Sequence, residues 1–313
     1  MNQRINEPAE LGALLGLRET SPTRSGERVW SIQRGPVPTQ ETVPSPRGTV
    51  PSPRGTVLLI AGLGMHRIEW SAELIRELQR GGYETITVDN HDAGLSHLRL
   101  AHDAYSLADI ARDLVDLLDV LGLERVHVVG ISMGGMIAQH VAMAAPERTA
   151  SLTSLASTTG RRGVGRPAQH VKWIFKTPLP TDHDPYLEYV RDHHVAITTD
   201  SSRDVDRASW LGEQVWQRGL NADGYARQLA AIGADGDRTE RLRAITVPTL
   251  VMHGDDDPMI DISGGQDTAD AIPSSRFVVV PGMGHVVTWH HAATVASHLM
   301  EHFAASGADR RAT

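Results

Sequence analysis

Short apolar runs alternate along this chain with longer segments in which apolar residues recur at helical spacing. The segment 107–121 is the clearest helix, because Ile110, Leu114 and Leu118 fall on one of its faces. Further helices are predicted over 70–80, 136–145 and 292–304. Strands are predicted over 27–34, 56–61, 85–88, 126–129, 151–156, 249–252 and 277–280. Short buried strands that alternate with helices indicate an α/β fold with a mostly parallel central sheet flanked by helices.

Two segments interrupt this alternation. Residues 1–26 are polar and rich in turn formers, and we expect them to be a loosely held N-terminal extension. Residues 161–243 lack apolar strand runs, which predicts a helical cap inserted into a core made of 27–160 and 244–313.

The predicted cap holds half of the aromatic residues of the chain. Such a cap would bind substrate if its rings faced the catalytic end of the sheet, and it would otherwise use them to fill its own core. Trp173, Trp210 and Trp216 are the substrate-binding candidates, and we expect at least one of them to line a pocket.

A heptapeptide, Thr-Val-Pro-Ser-Pro-Arg-Gly, occurs at 42–48 and again, unchanged, at 49–55. It is either a proline-rich docking segment or an expanded surface loop between two early strands. Proline cannot supply the hydrogen bonds of a central strand, which favours the surface loop.

The formal net charge of −8 gives no indication of a surface for nucleic acid or anionic membranes. The chain has no cysteine, so disulfides, thiol nucleophiles and cysteine metal sites are excluded. No apolar run has the length of a membrane span. The apolar stretch 11–17 lacks the features of a signal peptide, so we expect a cytoplasmic protein. The sequence leaves the oligomeric state open.

The sequence Gly-Ile-Ser-Met-Gly at 130–134 stands between a predicted strand and a predicted helix. That context favours a sharp turn that exposes the hydroxyl of Ser132 as a nucleophile. Glycine relieves the crowding in such a turn. The backbone N–H of Met133, at the helix start, would be available to an oxyanion.

A serine nucleophile needs a base and an acid that orients the base. His285 follows the last predicted strand, and three consecutive aspartates, Asp255, Asp256 and Asp257, follow the strand before it. Their order along the chain is the one expected for this type of turn on a parallel sheet, but spacing alone leaves the choice among the aspartates open. A second oxyanion donor is expected after an early strand, where the backbone N–H of Leu63 is the candidate.

Together these motifs resemble the α/β-hydrolase superfamily, and the chain is similar to capped bacterial serine esterases and to aclacinomycin methylesterase-like proteins. The resemblance covers about 27–303 and is carried by 61–64, 89–96, 126–135, 253–258 and 282–285. It implies Ser132, Asp257 and His285 as the catalytic triad, because the family's acid directly precedes the proline-type position. Two positions depart from the common pattern: Ala61 stands where many relatives have histidine, and His91 where many have arginine.

The resemblance implies hydrolysis of a carboxylic ester, through an acyl-enzyme and without a cofactor. The large aromatic cap suggests a medium or bulky apolar substrate. A lactone or macrolactone hydrolase and a polyketide methylesterase are alternatives within the enzyme class, and a non-catalytic ligand-binding protein is the alternative outside it. The sequence contains no His-Glu-x-x-His metal motif and no dinucleotide fingerprint after a strand, so we expect no metal or bound cofactor.

Overall fold

The computed structural model of the protein describes residues 53–96, 104–199 and 203–307, preceded by four short strands between residues 18 and 35. Two of these four strands form a small hairpin, and the other two form the edge of the main sheet. The strands are β1 (Arg18–Glu19), β2 (Thr23–Ser25), β3 (Arg28–Trp30), β4 (Ile32–Gly35), β5 (Thr56–Ile60), β6 (Glu84–Val88), β7 (Val126–Ile131), β8 (Thr149–Leu155), β9 (Thr249–Gly254) and β10 (Arg276–Val280).

In the described part of the chain the main sheet has eight strands, in the order β1-β4-β6-β5-β7-β8-β9-β10. The six strands from β6 to β10 are parallel, and β1 and β4 close one edge with antiparallel pairing. Strand β5 lies between β6 and β7. The chain continues from β5 to β6 on one side and then crosses over to β7 on the other side. Ligands of open α/β sheets bind beside the carboxyl ends of strands at such a reversal of strand order.

The helices connect and cover these strands. They are α1 (Ala72–Arg80), α2 (Leu107–Val120), α3 (Met133–Ala144), α4 (His183–Ile197), α5 (Val205–Arg218), α6 (Ala222–Asp235), α7 (Thr239–Leu242), α8 (Ser263–Ala271) and α9 (Ala292–Ala305). Ser106 caps the start of helix α2: its side chain accepts the N–H of Asp109 at 3.1 Å, while the Asp109 side chain accepts the N–H of Ser106 at 2.8 Å. This reciprocal pair satisfies backbone donors that the first turn leaves open.

Both faces of the sheet are buried, as the side chains of strand β5 illustrate. Leu58 and Ile60 enter the core that α2 and α3 cover. Val57 and Leu59 point to the opposite core, which α1 and α9 cover. Since successive side chains of a strand point to opposite faces, a strand covered on both sides reads as an uninterrupted apolar run. The predicted fold class, a mostly parallel α/β-hydrolase sheet flanked by helices, is confirmed.

Three local predictions differ from the structure. The strand predicted over 27–34 is two strands, β3 and β4, which belong to different sheets. The N-terminal extension contains β1 and β2, which are too short to show an apolar alternation and pair through their backbones. The helix predicted to begin at residue 136 begins at Met133, because the turn geometry at Ser132 overrides the low helix propensity of Gly134 and Gly135. The repeat at 42–55 lies almost wholly outside the described residues.

The segment 161–243 carries α4 to α7 and, in its described residues, no strand. Helix α6 packs Ala231 into the core beside α2. That this segment forms a cap remains a prediction. No helix in the described ranges is both long and apolar enough to cross a membrane.

Candidate active site

Ser132 stands between β7 and α3 in a strained backbone conformation, with φ 57° and ψ −121°. Such positive φ values are uncommon outside glycine and concentrate at functional sites. A Cβ atom at Gly130 would lie 2.0 Å from the carbonyl oxygen of Gly134, and one at Gly134 would lie 2.1 Å from that of Ile60. Both glycines are therefore required for the chain to turn this tightly beside β5.

His285 and Asp257 complete a line of hydrogen bonds that starts at this serine. The Nε2 atom of His285 lies 3.0 Å from Oγ of Ser132. On the other side of the ring, Nδ1 lies 2.8 Å from Oδ2 of Asp257. The three side chains come from the loops after β7, β9 and β10, so the parallel sheet brings together groups that are far apart in sequence.

Only the third of the three consecutive aspartates faces His285. Asp255 and Asp256 are exposed, and Asp255 accepts the backbone N–H of Gly282 at 2.6 Å. Asp257 is buried, and its Oδ1 also accepts the N–H groups of Met259 at 2.9 Å and Ile260 at 3.0 Å. These bonds fix the orientation of the carboxylate toward the imidazole.

His253 is a second histidine beside Asp257, and it is fully buried at the end of β9. Its Nε2 lies 2.7 Å from the carbonyl oxygen of Ile260 and 3.2 Å from Oδ2 of Asp257. Burial raises the pKa of Asp257, but the neighbouring His285 and the hydrogen bonds from His253 and His285 outweigh burial and hold that pKa well below its usual range. Asp257 is therefore a carboxylate at neutral pH, as an acceptor for Nδ1–H must be.

The loop that carries His285 is anchored to the C-terminus of α4. The backbone N–H of His285 donates to the carbonyl oxygen of Ile197 at 2.9 Å. A Cβ atom at Gly284 would lie 2.4 Å from that same oxygen, so glycine is needed for this approach. The position of the histidine thus depends on a helix from the 161–243 segment.

The loop after β5 lies against Ser132, because β5 and β7 pair with Ile60 opposite Gly130. Across the described chain, the backbone N–H groups of Leu63 and Met133 have no hydrogen-bond acceptor. Unpaired N–H groups in the residue after the serine and in the neighbouring loop are what an oxyanion site needs.

Helix α6 holds this loop in place. The side chain of Gln228, which is fully buried, accepts the N–H of Gly64 at 2.7 Å and donates to the carbonyl oxygen of His91 at 2.6 Å. One turn earlier, the ring of Tyr225 lies against Gly64, where a Cβ atom would be 2.6 Å from the ring. Gly64 has φ 67° and bears no side chain, which permits both contacts.

A cavity of about 250 Å³ opens onto Ser132 and His285. Helices α4 and α5 supply much of its wall, together with the loop after β5. The aromatic residues that line it are Trp70, Tyr186, Tyr189, Trp210, Tyr225 and Trp289. Trp210 is thus the one of the three candidate tryptophans that this cavity includes among its lining residues.

Trp173 and Trp216 lie behind the cavity wall. Trp173 packs edge-on against Tyr189, with 5.5 Å between ring centroids, and lines a separate groove near Pro258. Trp216 packs against Tyr186 at 5.6 Å. The aromatic content of the segment therefore divides between rings that face the cavity and rings that support them. Sequence composition gave no means of assigning each ring to one of these two sets.

Two side chains of the site, Gln228 and Glu69, carried no sequence signal that singled them out. Gln228 is an ordinary helix residue until the fold places it beside Gly64. Glu69 lines the cavity and accepts the N–H of His66 at 2.6 Å. His193 also lines the cavity, where burial, reinforced by the nearby His285 and His194, lowers its pKa to about 4. No cluster of three or more histidine, aspartate or glutamate side chains in the described residues has the geometry of a metal site.

The fold and the loops around Ser132 define a hydrolase of the α/β type. A family model of the α/β-hydrolase fold matches residues 55–292. The chain therefore belongs to the α/β-hydrolase family, and the resemblance stated from the sequence is confirmed.

Individual relatives cover most of the chain. It is 30% identical over 252 residues to RutD of Variovorax paradoxus, provisionally named a carbamate hydrolase, with 79% of this chain and 91% of RutD covered. It is 29% identical over 250 residues to the 2-hydroxy-6-oxononadienedioate/2-hydroxy-6-oxononatrienedioate hydrolase of Paraburkholderia phymatum, with 75% and 82% covered. The solved structure of an enol-lactonase from Burkholderia xenovorans has a TM-score of 0.68 at 18% identity, with 90% and 98% covered, and shares the fold.

Proposed function

We propose that the protein is a serine hydrolase that cleaves the carboxylic ester of a medium or bulky apolar substrate through an acyl-enzyme. The observation that carries this proposal is the line of hydrogen bonds from Ser132 through His285 to Asp257, with distances of 3.0 and 2.8 Å, at the wall of an aromatic cavity.

In the first half of the reaction, Nε2 of His285 takes the proton of Ser132 as Oγ attacks the ester carbonyl carbon. Asp257 holds the imidazole with its proton on Nδ1 and stabilises the imidazolium that forms. The N–H groups of Leu63 and Met133 donate to the oxyanion of the tetrahedral intermediate. The imidazolium then protonates the leaving alcohol, and the acyl group remains on Ser132.

In the second half, water replaces the alcohol. His285 removes a proton from the water as its oxygen attacks the acyl carbon, and the same two N–H groups bind the second oxyanion. Collapse of this intermediate returns the proton to Oγ of Ser132 and releases the carboxylic acid. Every proton transfer passes through Nε2 of His285, so no metal or redox cofactor enters the scheme.

The size of the substrate follows from the cavity. Its volume of about 250 Å³ and its aromatic lining suit an apolar group larger than acetyl. We also propose that 161–243 acts as the cap, because Tyr186, Tyr189 and Trp210 of this segment line the cavity. Trp210 is our candidate for direct contact with substrate, and Trp173 and Trp216 are candidates for support.

The names of relatives suggest carbamates, 2-hydroxy-6-oxononadienedioate and enol lactones as substrates of related proteins. All contain an acyl carbon that a serine can attack, so the triad does not discriminate among them. A non-catalytic ligand-binding role is less compatible with a serine, a histidine and an aspartate that remain within hydrogen-bond reach.

The test is a panel of 4-nitrophenyl esters of graded acyl length, alongside a macrolactone, methyl esters and an alkyl carbamate. We expect the highest kcat/KM for medium or bulky acyl esters, and loss of turnover in Ser132→Ala. Ser209→Ala is the matched control, because Ser209 lies on α5 and bonds to the carbonyl oxygen of Val205. Turnover of the carbamate or lactone alone would reassign the substrate class, and full activity of Ser132→Ala would refute the proposal.

A further inference from the structure

We infer that the cavity selects esters that carry a positively charged amine, which Glu69 and the surrounding aromatic rings hold. The inference rests on the proposed ester hydrolysis and names its substrate class more narrowly. It concerns a part of the cavity that the triad does not use.

The first observation is a carboxyl group with an open side. Glu69 lines the same cavity as Ser132 and His285. One of its oxygens, Oε2, accepts the N–H of His66 at 2.6 Å, and among the residues that the structure describes its carboxyl group has no other hydrogen-bond or ion-pair partner. A carboxyl group in a largely aromatic cavity loses much of its hydration, and a ligand cation would compensate for that loss.

The second observation is the set of rings that shares the cavity with Glu69. The side chains of Trp70, Tyr186, Tyr189, Trp210 and Tyr225 line it. The negative faces of tryptophan and tyrosine rings attract organic cations, and such rings recognise quaternary ammonium groups in many binding sites. A carboxyl group and several such rings in one cavity both favour a positive ligand.

The third observation is that, among the described residues, no positively charged side chain of the cavity wall is paired with Glu69. Arg207 lines the cavity, but its guanidinium contacts both oxygens of Glu73, at 3.0 and 2.8 Å. Burial lowers the pKa of both His193 and His194, which keeps these lining histidines neutral at neutral pH. A second acid, Asp204, also lines the cavity and adds to its negative charge.

The charge of Glu69 itself changes near neutral pH. Burial raises the pKa of Glu69 to about 7, the Asp89 carboxylate adds to this, and the hydrogen bond from His66 and the charge of Arg218 oppose it. The groups that face Glu69 from the neighbouring elements are Asp89, Arg218, His66 and Tyr186. Asp89 and Arg218 form an ion pair at 2.6 Å, burial lowers the pKa of His66 to about 4, and burial raises the pKa of Tyr186.

Preference for a cationic ester should therefore increase as the pH rises through about 7. Two esters of equal shape react with the same triad, so any effect of pH on the triad cancels when they are compared at one pH. The quantity to measure is the ratio of kcat/KM for a cationic ester to kcat/KM for its neutral isostere.

Two pairs of esters place the charge on either side of the scissile bond. The acyl pair is the 4-nitrophenyl esters of 4-(trimethylammonio)butanoic and 5,5-dimethylhexanoic acids. The alcohol pair is the butanoate esters of 2-(trimethylammonio)ethanol and 3,3-dimethylbutanol. Glu69→Gln removes the charge and keeps an acceptor for the N–H of His66. Glu77→Gln is the control, because Glu77 makes an ion pair with Arg80 on the surface of α1.

In at least one pair, we expect the wild-type ratio at pH 8 to exceed that of Glu69→Gln by about tenfold. The difference should shrink at pH 6, and Glu77→Gln should match the wild type. Equal ratios in wild type and Glu69→Gln at both pH values, in both pairs, would overturn the inference.

Ester binding to a variant that cannot hydrolyse the ester tests the cation site independently of the proposed hydrolase activity. In at least one of the two pairs, calorimetry on Ser132→Ala should give a lower Kd for the cationic ester than for its neutral partner. The double variant Ser132→Ala, Glu69→Gln should lose that difference. If the wild type hydrolyses none of the esters but this difference is present, the hydrolase proposal fails and the cation site stands. If the difference is absent, the cation site fails whatever the turnover.

Discussion

The side chain of Gln228 on helix α6 accepts the backbone N–H of Gly64 at 2.7 Å, across 164 positions of sequence. Gly64 is the neighbour of Leu63, whose N–H we assign to the oxyanion. The same amide donates to the carbonyl oxygen of His91, so one side chain joins the loops after β5 and β6. The proposed oxyanion site is thus held from outside the β5 loop, by a helix of the 161–243 segment.

We predict that Gln228→Leu lowers kcat about tenfold to a hundredfold and changes KM little. The N–H of Leu63 would lose its fixed direction, and complete removal of an oxyanion donor costs about 10²–10³ in kcat. Steady-state kinetics well below the melting temperature checks this. Gln228→Glu, which retains an acceptor for Gly64, should recover part of kcat. If Gln228→Leu lowers only the melting temperature, the residue is structural and does not position the loop.

Asp257→Asn should damage activity far more than Asp255→Asn or Asp256→Asn. An amide at position 257 would favour the wrong imidazole tautomer, and such a change in a triad costs about 10⁴ in kcat. The two exposed aspartates lie outside hydrogen-bond reach of His285 and serve as matched controls. The measurement is kcat of the three variants on one ester. If Asp255→Asn or Asp256→Asn lowers kcat more than Asp257→Asn does, the assignment is wrong.

Glu69→Gln should stabilise the protein at alkaline pH. The pKa of Glu69 is raised to about 7 in the folded protein. The free energy of unfolding therefore falls as the pH rises from about 4.5 to about 7, because the folded protein holds the proton of Glu69 more tightly than the unfolded chain does. At pH 8.5 the full cost is present, and replacement by glutamine should raise the free energy of unfolding by about 1–3 kcal/mol. At pH 4 the effect should vanish. Urea unfolding at the two pH values measures this, and an equal effect at both would contradict the assigned environment of Glu69.

Trp210→Ala should change the ranking of esters by about 1–3 kcal/mol in transition-state free energy, the scale on which apolar pockets discriminate. Trp216→Ala should instead lower the melting temperature and reduce activity on all esters alike, because this ring supports Tyr186 from behind. The ester profile and melting curve of each variant separate the two effects. A profile that is unchanged in Trp210→Ala would remove this residue from the substrate pocket.

The sequence predicted most of the sheet because its strands are buried on both faces. A strand such as β5 has to be apolar at consecutive positions, and that pattern is visible without any knowledge of its neighbours. The turn at Ser132 was also predictable, because the glycines at 130 and 134 are required by local contacts. The short strands β1 and β2 were missed because backbone pairing at an edge imposes no comparable pattern.

The rest of the site depends on contacts between distant segments. Spacing could not choose among Asp255, Asp256 and Asp257, and only the resemblance to a family pointed to the third. Nothing in the sequence near Gln228 distinguishes it from other helix glutamines, since its partners are Gly64 and His91. The same holds for Trp210, whose position on the cavity wall depends on how α4 and α5 pack.

Mass spectrometry of the protein after reaction with a fluorophosphonate tests whether Ser132 is the nucleophile. We predict one covalent adduct per chain, on the peptide that contains Ser132, and no adduct in Ser132→Ala. His285→Ala should label far more slowly, because no base would remove the serine proton. An unlabelled wild-type protein, or an adduct on a different serine, would contradict the account.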